Sequence, residues 1–259
     1  MSASVQTADE APASETVTLR GRTALRALLP DRVTGSTRLL AWCTLAVHIG
    51  IVVTGGLVRL TGSGLGCPTW PSCTEDSFVP TPEMGVHGVI EFGNRTLTGV
   101  LCVVALLTLL AVLRTRGGGR RLLGPAVWIG VLTLVQAVVG GVTVLVDLHP
   151  GAVGIHMLIS MGLVSIASVL LVRVLRDEPA PRRPLRRALR EHRAAAIAAV
   201  LVWTWTWITV FVGALTTGSG PHAGDAAAAR NGLPPELMQH LHSYPAYVLL
   251  GCTLLLIVA

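Results

Sequence analysis

Lysine is absent from this sequence: all twenty of its basic residues are arginine. Without a lysine amine the chain cannot form a Schiff base, which excludes retinal-type and pyridoxal-type chemistry. Charge of either sign is also scarce, because Asp, Glu, Lys and Arg make up only 13% of the 259 residues. Hydrophobic residues make up 51%, and the mean hydropathy is +0.64. This balance is typical of a protein embedded in a lipid bilayer.

Six long apolar runs account for this composition. About 20 mostly apolar residues cross the hydrocarbon core of a membrane as a helix. Backbone groups cannot bond to water there, so a span is a helix or part of a closed barrel, and runs this long exclude the barrel. The sequence therefore predicts an all-α, polytopic membrane helical bundle. The predicted spans are 39–60, 86–113, 122–146, 151–173, 195–216 and 236–259.

Arginine is distributed unevenly along the chain. It is frequent in 1–36, which lacks the apolar centre of a cleavable signal peptide and is predicted to be a disordered cytoplasmic tail. It is also frequent after the second span and in the linker 174–194. The connections at the other end of the spans, 61–85, 147–150 and 217–235, contain Arg230 as their only basic residue. The positive-inside rule predicts a multi-pass protein of the cell membrane with a cytoplasmic N-terminus. The net charge of +6 thus reflects topology, and we expect no nucleic-acid partner.

The few polar side chains within the spans gather at one end of them. Glu91, Asn94 and Arg95 open the second span, His156 opens the fourth and His242 opens the sixth. Alternate spans run in the same direction, so these residues share one membrane depth. Ionisable groups inside a membrane are costly and usually mark a site. The pattern predicts a site formed by three helices at the outer face.

Two of the five cysteines lie outside the spans. Cys67 and Cys73 are in the first external loop, GCPTWPSC, where an oxidising exterior permits a disulfide. Such a short loop gives a structural bridge worth about 2 kcal/mol, while a redox-active pair beside the site is the alternative. We interpret Cys43, Cys102 and Cys252 as packing residues within the spans.

The chain also contains an internal repeat. GLVRLTGSG at 56–64 is echoed by GALTTGSG at 213–220, and each is followed by a span with a polar start, IEFGNR or MQHLHS. Registering these clusters places Asn94 opposite His242 and Glu91 opposite Gln239. Membrane folds are commonly built from repeats with a site at their interface. The repeat predicts eight helices in all, of which this sequence contains six.

These strings resemble the haem A synthase family. The resemblance runs from about residue 37 to 259 and is most specific in GGLVRLTGSGLGCPTWPSC at 55–73. It implies two four-helix halves related by a pseudo-twofold axis: 37–173 would bind the substrate, haem O, and 195–259 would begin the half that holds a haem b cofactor. The implied reaction oxidises a ring methyl of haem O to a formyl group, giving haem A for terminal oxidase assembly.

The resemblance also implies roles for single residues. Glu91 matches the family's essential glutamate, and Arg95 follows it, so both are catalytic candidates. His156 and His242 match haem-iron ligands of the two halves, and the two cysteines of GCPTWPSC match an external cysteine pair. Asn94 stands where the family has a second histidine, and asparagine is a poor iron ligand. The substrate iron is then five-coordinate through His156 or uses another group.

Several alternatives stay open at this stage. His87 is a replacement ligand on the face of Asn94, although about 10 Å nearer the surface. Glu91 and Arg95 are an i,i+4 pair, so they could be a purely structural ion pair or a proton-moving carboxylate and its partner. Arg59 or Arg95 could bind haem propionates.

The other histidines are expected to be structural or exposed. His48 is predicted to be a core residue, and His240 competes with His242 for the role of ligand in the sixth span. The surface is the expected place of the remaining three, His149, His192 and His222.

Two functional classes satisfy this pattern. The first is an integral-membrane oxidoreductase acting on haem O, with haem O synthase, an electron donor and a second copy of the chain as further possible partners. The second is an electron-transfer cytochrome or a haem carrier without catalysis. Both need histidines at one depth, but only the enzyme needs a buried carboxylate beside the iron. A bare transporter is the weakest reading, since no ion path is marked through the cytoplasmic half. We therefore predict the enzyme.

Overall fold

The computed structural model describes residues 33–115, 119–176 and 192–258. The regular structure of these residues is helical, which confirms the all-α prediction. A single 3₁₀ turn, Pro82–Met84, precedes the second helix. The six α-helices are α1 Gly35–Leu60, α2 Gly85–Leu113, α3 Gly119–Leu145, α4 Pro150–Leu175, α5 Arg193–Ser219 and α6 Pro235–Val258.

All six helices are long and apolar enough to cross a membrane, with mean hydropathies of 1.7 to 2.6 in their most apolar windows. The predicted multi-pass bundle is therefore confirmed. Helix α1 begins four residues before the predicted start at 39, because the Thr34 hydroxyl accepts a hydrogen bond from the backbone N–H of Thr37 and caps the helix. Most of the predicted tail and linker, 1–32 and 177–191, lies outside the described residues.

The first four helices form a closed ring. Each packs against the next in the chain, and α1 also packs against α4. Small side chains in the core let the helix backbones approach closely. The core at the end where α1 begins consists of Ala41, Ala105, Val112, Leu122, Ala126, Ile129, Ala167, Leu170, Leu171 and Val174.

The last two helices form a pair beside this ring. Helix α5 packs on α4 and α6, while α6 contacts only α5 among the described helices. Only 6% of the most apolar window of α5 and 11% of that of α6 is buried, against 22–28% in the other four helices. A groove of about 340 Å³ runs between α5 and α6, lined by side chains such as Trp205, Val212 and Met238. The pair therefore exposes wide apolar faces that suit lipid or further helices.

The connections 61–81, 146–149 and 220–234 meet at one end of the bundle, which we term the loop end. The backbone N–H of Gly64 donates to the carbonyl of Gly224 at 2.8 Å. Leu148 packs with Ala223 and Ala228 beneath this contact. The loops of the four-helix ring and of the α5–α6 pair thus form one layer over the starts of α2, α4 and α6.

Candidate functional site

The structure places the predicted polar residues at the loop end. Glu91, Asn94 and Arg95 lie in the first three turns of α2, His156 lies in the second turn of α4, and His242 lies in the second or third turn of α6. The helix parity on which the sequence argument rested puts these residues at one depth.

The Arg95 guanidinium is enclosed by the first external loop. It donates to Glu91 Oε1 from Nη2 at 2.5 Å and from Nε at 3.1 Å. Its remaining N–H groups donate to backbone carbonyls of the loop, those of Cys67 at 2.7 Å, Thr69 at 2.8 Å and Ser72 at 3.1 Å. A guanidinium has five N–H donors. All five are engaged, so Arg95 has none left for a propionate in this geometry.

Glu91 is buried, with 5% of its surface exposed, and fastens the same loop. Its Oε2 accepts a hydrogen bond from the backbone N–H of Cys67 at 2.7 Å, while Oε1 accepts from Arg95. Both oxygens of the carboxylate therefore have partners. These contacts are those that the structural ion-pair alternative requires, and they also hold a carboxylate inside the candidate site.

The predicted disulfide is present between Cys67 and Cys73, with an S–S distance of 2.00 Å. Both residues are completely buried. The loop backbone also passes close to α2, because a Cβ on Gly66 would lie only 2.3 Å from the carbonyl oxygen of His87. The bridge thus belongs to a compact loop pressed against the start of α2.

His156 has an unpaired nitrogen in the bundle interior. Its Nδ1 is buried and has no hydrogen-bond partner. The ring lies against α3, where a Cβ on Gly140 would be 3.1 Å from His156 Cε1. Unpaired buried polar atoms are rare in native proteins and call for an explanation such as a bound ligand. The glycine gives the imidazole room that a larger residue would occupy.

The turn that carries His156 is held from α3. Gln136 Nε2 donates to the carbonyl of His156 at 2.6 Å and also bonds to Ser160 Oγ. Gln136 Oε1 is itself buried without a partner. Sequence reasoning missed this residue, although an amide within the apolar run VLTLVQAVV was a visible signal. Gln136 therefore helps to fix His156 and leaves a free acceptor nearby.

His242 repeats the arrangement of His156 in the α5–α6 pair. Its Nδ1 is also buried without a partner, and a Cβ on Gly213 of α5 would lie 2.8 Å from its Cε1. His240, the competing residue, is exposed. The geometry favours His242 as the ligand candidate of this pair.

Asn94 and Arg59 complete the set of predicted residues. Asn94 Oδ1 accepts a hydrogen bond from Thr54 Oγ1 of α1 at 2.7 Å, so its side chain faces the neighbouring helix. Arg59, near the end of α1, has a buried Nε without a hydrogen-bond partner. Of the two arginines proposed to bind an anion, Arg59 is the one with a donor to spare.

The remaining histidines have ordinary environments. His48 is buried, donates from Nδ1 to the carbonyl of Thr44 at 2.7 Å and lies 3.4 Å from Thr133 Oγ1, as expected of a core residue. His87 is exposed, with Nδ1 2.9 Å from Ser63 Oγ. The three histidines predicted at the surface, His149, His192 and His222, are exposed.

The candidate site contains single histidines rather than clusters of metal-binding side chains. Within the described ranges, no three His, Cys, Asp or Glu side chains converge to hold a metal ion. A lone imidazole in an apolar helical bundle suits axial ligation of a haem. Fold and site together define a polytopic helical membrane protein with two buried, unpartnered histidine nitrogens at one end of its bundle.

Comparison with known families agrees with that class. A family model described as cytochrome oxidase assembly protein, COX15-CtaA, matches residues 38–243, and the chain belongs to this family. No solved structure matches it significantly.

Curated relatives are named haem A synthase. That of Bacillus pumilus is 34% identical over 140 residues, covering 53% of this chain and 44% of the relative. That of Lysinibacillus sphaericus is 35% identical over 148 residues, covering 53% and 45%. That of Shewanella oneidensis is 28% identical over 206 residues, covering 74% and 58%. The chain spans about half the length of the curated relatives it matches.

Proposed function

We propose that this chain acts in a haem A synthase, an oxidoreductase that converts haem O into haem A for terminal oxidase assembly. The observation that carries the proposal is the pair of buried, unpartnered imidazole nitrogens of His156 and His242 at the loop end. Membership of the cytochrome oxidase assembly family and relatives named haem A synthase support it.

The residues present fit two haems. His156, held by Gln136 and Ser160, would ligate the iron of the substrate haem O inside the four-helix ring. His242, against Gly213, would ligate a haem b in the α5–α6 pair. A haem b bound there would supply one-electron transfer. The buried, unpaired polar atoms are the observation that fits these groups, because each histidine lacks a partner within the protein.

The reaction assigns a task to Glu91. Oxidation of the methyl group follows R–CH₃ + H₂O → R–CHO + 4 H⁺ + 4 e⁻, so four protons must leave the reacting carbon and the water, and four electrons must pass to an electron-accepting redox partner. Glu91 is the only acidic residue of the sequence that lies well inside a predicted span, and a positioned carboxylate can accept such protons. Arg95 would act as a positioning residue, because it holds Glu91 and the loop together and has no N–H free for substrate.

Arg59 is the proposed propionate partner. A buried guanidinium nitrogen without an acceptor is costly, and a carboxylate forms strong charge-assisted hydrogen bonds with arginine. Asn94 would line the haem O side without binding iron, because asparagine is a weak iron ligand and its oxygen is already bonded to Thr54.

The membrane topology indicates the side of the membrane on which the site would lie. The distribution of arginine supports a cytoplasmic N-terminus in the cell membrane, with the loop end outside. Haem O synthase would supply the substrate, a redox partner would exchange electrons, and a second copy of the chain is a further proposed partner.

Pigment analysis tests this function. Membranes containing the full-length protein and a source of haem O should yield haem A or a hydroxylated haem O on extraction. The same preparation of His156→Ala should yield neither, although its haem b should remain. Haem b alone from the unaltered protein would favour the alternative, an electron-transfer cytochrome or haem carrier without chemistry of its own.

A further inference from the structure

The segment 66–73, which we term the disulfide loop, touches two helices of the ring. On the α2 side it is fastened by hydrogen bonds from Arg95 to three of its carbonyls and by the bond from the Cys67 N–H to Glu91. The described hydrogen bonds of the disulfide loop run to α2 and the 3₁₀ turn before it, or to other residues of the connection 61–81. On the α3 side, the side chain of Trp70 packs against the helix.

Trp70 lies directly on a glycine of α3. A Cβ on Gly141 would be 2.3 Å from Trp70 Cδ2, 2.5 Å from Cε2 and 2.7 Å from Cγ. These distances are far below any contact that real side chains make, so the indole sits against bare helix backbone. Any residue other than glycine would displace it. Trp70 keeps 37% of its surface exposed, so this contact is at the surface of the loop end.

Gly140, the residue before Gly141 in α3, lies against the histidine of the candidate site, His156. Gly140 faces the His156 ring at 3.1 Å, and Gly141 faces the indole of Trp70. Two neighbouring glycines of α3 therefore hold the candidate iron ligand and the disulfide loop next to each other. The loop spans from α2 to α3, and His156 lies against α3 at the residue next to the one that Trp70 contacts.

We propose that Trp70 is a latch that closes the disulfide loop over the His156 site and limits the rate at which haem enters and leaves. The inference rests on the proposed function, because it requires haem at His156. The α2 attachment uses an ion pair and several hydrogen bonds, whereas no described hydrogen bond joins the loop to α3, where the Trp70 ring packs. Local opening begins where the fewest contacts must be broken, so the loop parts from α3 first. Trp70 positions the loop and takes no part in the chemistry.

The test is the rate at which haemin leaves the loaded full-length protein for excess apomyoglobin. Gly141→Ala removes the seat of the indole without altering the loop, and Trp70→Ala removes the indole. Each should speed release about tenfold, because the closed state of the loop loses the packing of Trp70 on α3. The double variant should release haemin no faster than either single one, since both break the same contact. Gly130→Ala is the matched control on α3, because its Cβ would meet nothing within 4 Å.

A second readout needs no haem. Cys67 and Cys73 are fully buried within the closed loop. A membrane-impermeant phosphine should therefore reduce their disulfide faster in Trp70→Ala than in the unaltered or Gly130→Ala protein. Trp70→Phe, which keeps an aromatic ring, should restore much of the protection. Should Gly141→Ala fail to fold, Trp70→Ala tests the latch alone.

The outcomes separate the latch from the proposed function. Haemin release at the unaltered rate from Trp70→Ala, with retention still dependent on His156, overturns the latch and leaves the function intact. Faster disulfide reduction with unchanged haemin release also overturns it, because Trp70 then only stabilises the loop. If His156→Ala retains haemin as well as the unaltered protein does, the proposed function fails and the latch fails with it.

Discussion

The four-helix ring and the α5–α6 pair present the same ligand geometry in different surroundings. Each has a histidine with a buried, unpaired Nδ1 lying on a glycine of the preceding helix, His156 on Gly140 and His242 on Gly213. The ring surrounds its histidine with four mutually packed helices and a disulfide loop. The pair leaves most of its apolar surface open. A ligand position is therefore set by a local two-helix contact, whereas its enclosure depends on the larger assembly.

Polar residues sharpen this difference. The ring carries a fully hydrogen-bonded Glu91–Arg95 pair beneath its loop, while registration of the repeat puts Gln239, an exposed residue, at the position of Glu91. The α5–α6 pair thus has a candidate ligand, His242, but no carboxylate at the position that corresponds to Glu91. This asymmetry agrees with chemistry in the ring and electron transfer in the pair.

The largest expected effect comes from removing each ligand in turn. His156→Ala should abolish haem O binding and leave haem b, while His242→Ala should do the reverse, because each imidazole is the one iron ligand proposed for its site. Optical spectra and extracted pigments of the two variants measure this. In the 259-residue chain, haem at His242 should also be lost first on dilution, since two described helices surround it. Parallel loss of both pigments in both variants would contradict two separate sites.

Arg95→Gln should cause the next largest change, in stability. It removes the ion pair and the fork that holds three loop carbonyls, and it leaves Glu91 buried without its cation. Breaking one partner of a buried pair costs about 3 kcal/mol or more. Thermal unfolding in detergent measures the loss, with Arg230→Gln, at an exposed residue of the 220–234 loop, as the control. Equal midpoints for the two variants would show that the disulfide loop does not depend on Arg95.

Asn94→His tests the registration of the two halves. The repeat places Asn94 opposite His242, so a histidine there stands where an iron ligand stands in the other half. The variant should shift the substrate haem towards a six-coordinate, low-spin spectrum, because imidazole binds haem iron and a carboxamide does not. An unchanged spin state with haem O bound would show that position 94 does not face the iron.

Thr54→Val gives the smallest expected effect. Thr54 donates to Asn94 Oδ1 at 2.7 Å, and loss of one such partly buried hydrogen bond costs about 1 kcal/mol. A drop in the unfolding midpoint by a few degrees, with haem content unchanged, is the expected outcome. A loss of haem content would mean that this bond positions Asn94 for binding.

Much of the fold follows from the sequence, because span length and hydropathy dictate helices in a membrane and parity dictates which ends meet. The predicted helices, the disulfide and the exposed loop histidines are present in the structure. The hydrogen-bond and packing partners of individual side chains could not be predicted from the sequence. Nothing in a linear pattern shows that Arg95 reaches back to the carbonyls of Thr69 and Ser72, since these contacts depend on how the loop folds over α2. Gly141 beneath Trp70 is a similar case, because the two residues are 71 positions apart in the sequence.

The most direct test of the account is the turnover of haem O by Glu91→Gln. The amide keeps the size of the side chain and an oxygen that can accept the hydrogen bond from the Cys67 N–H, but it cannot act as a base that takes up a proton. The account predicts a rate lowered by about 10²-fold or more, with haem content and spectrum unchanged. Turnover at the normal rate in a fully loaded protein would contradict it and leave Glu91 as the ion-pair partner of Arg95.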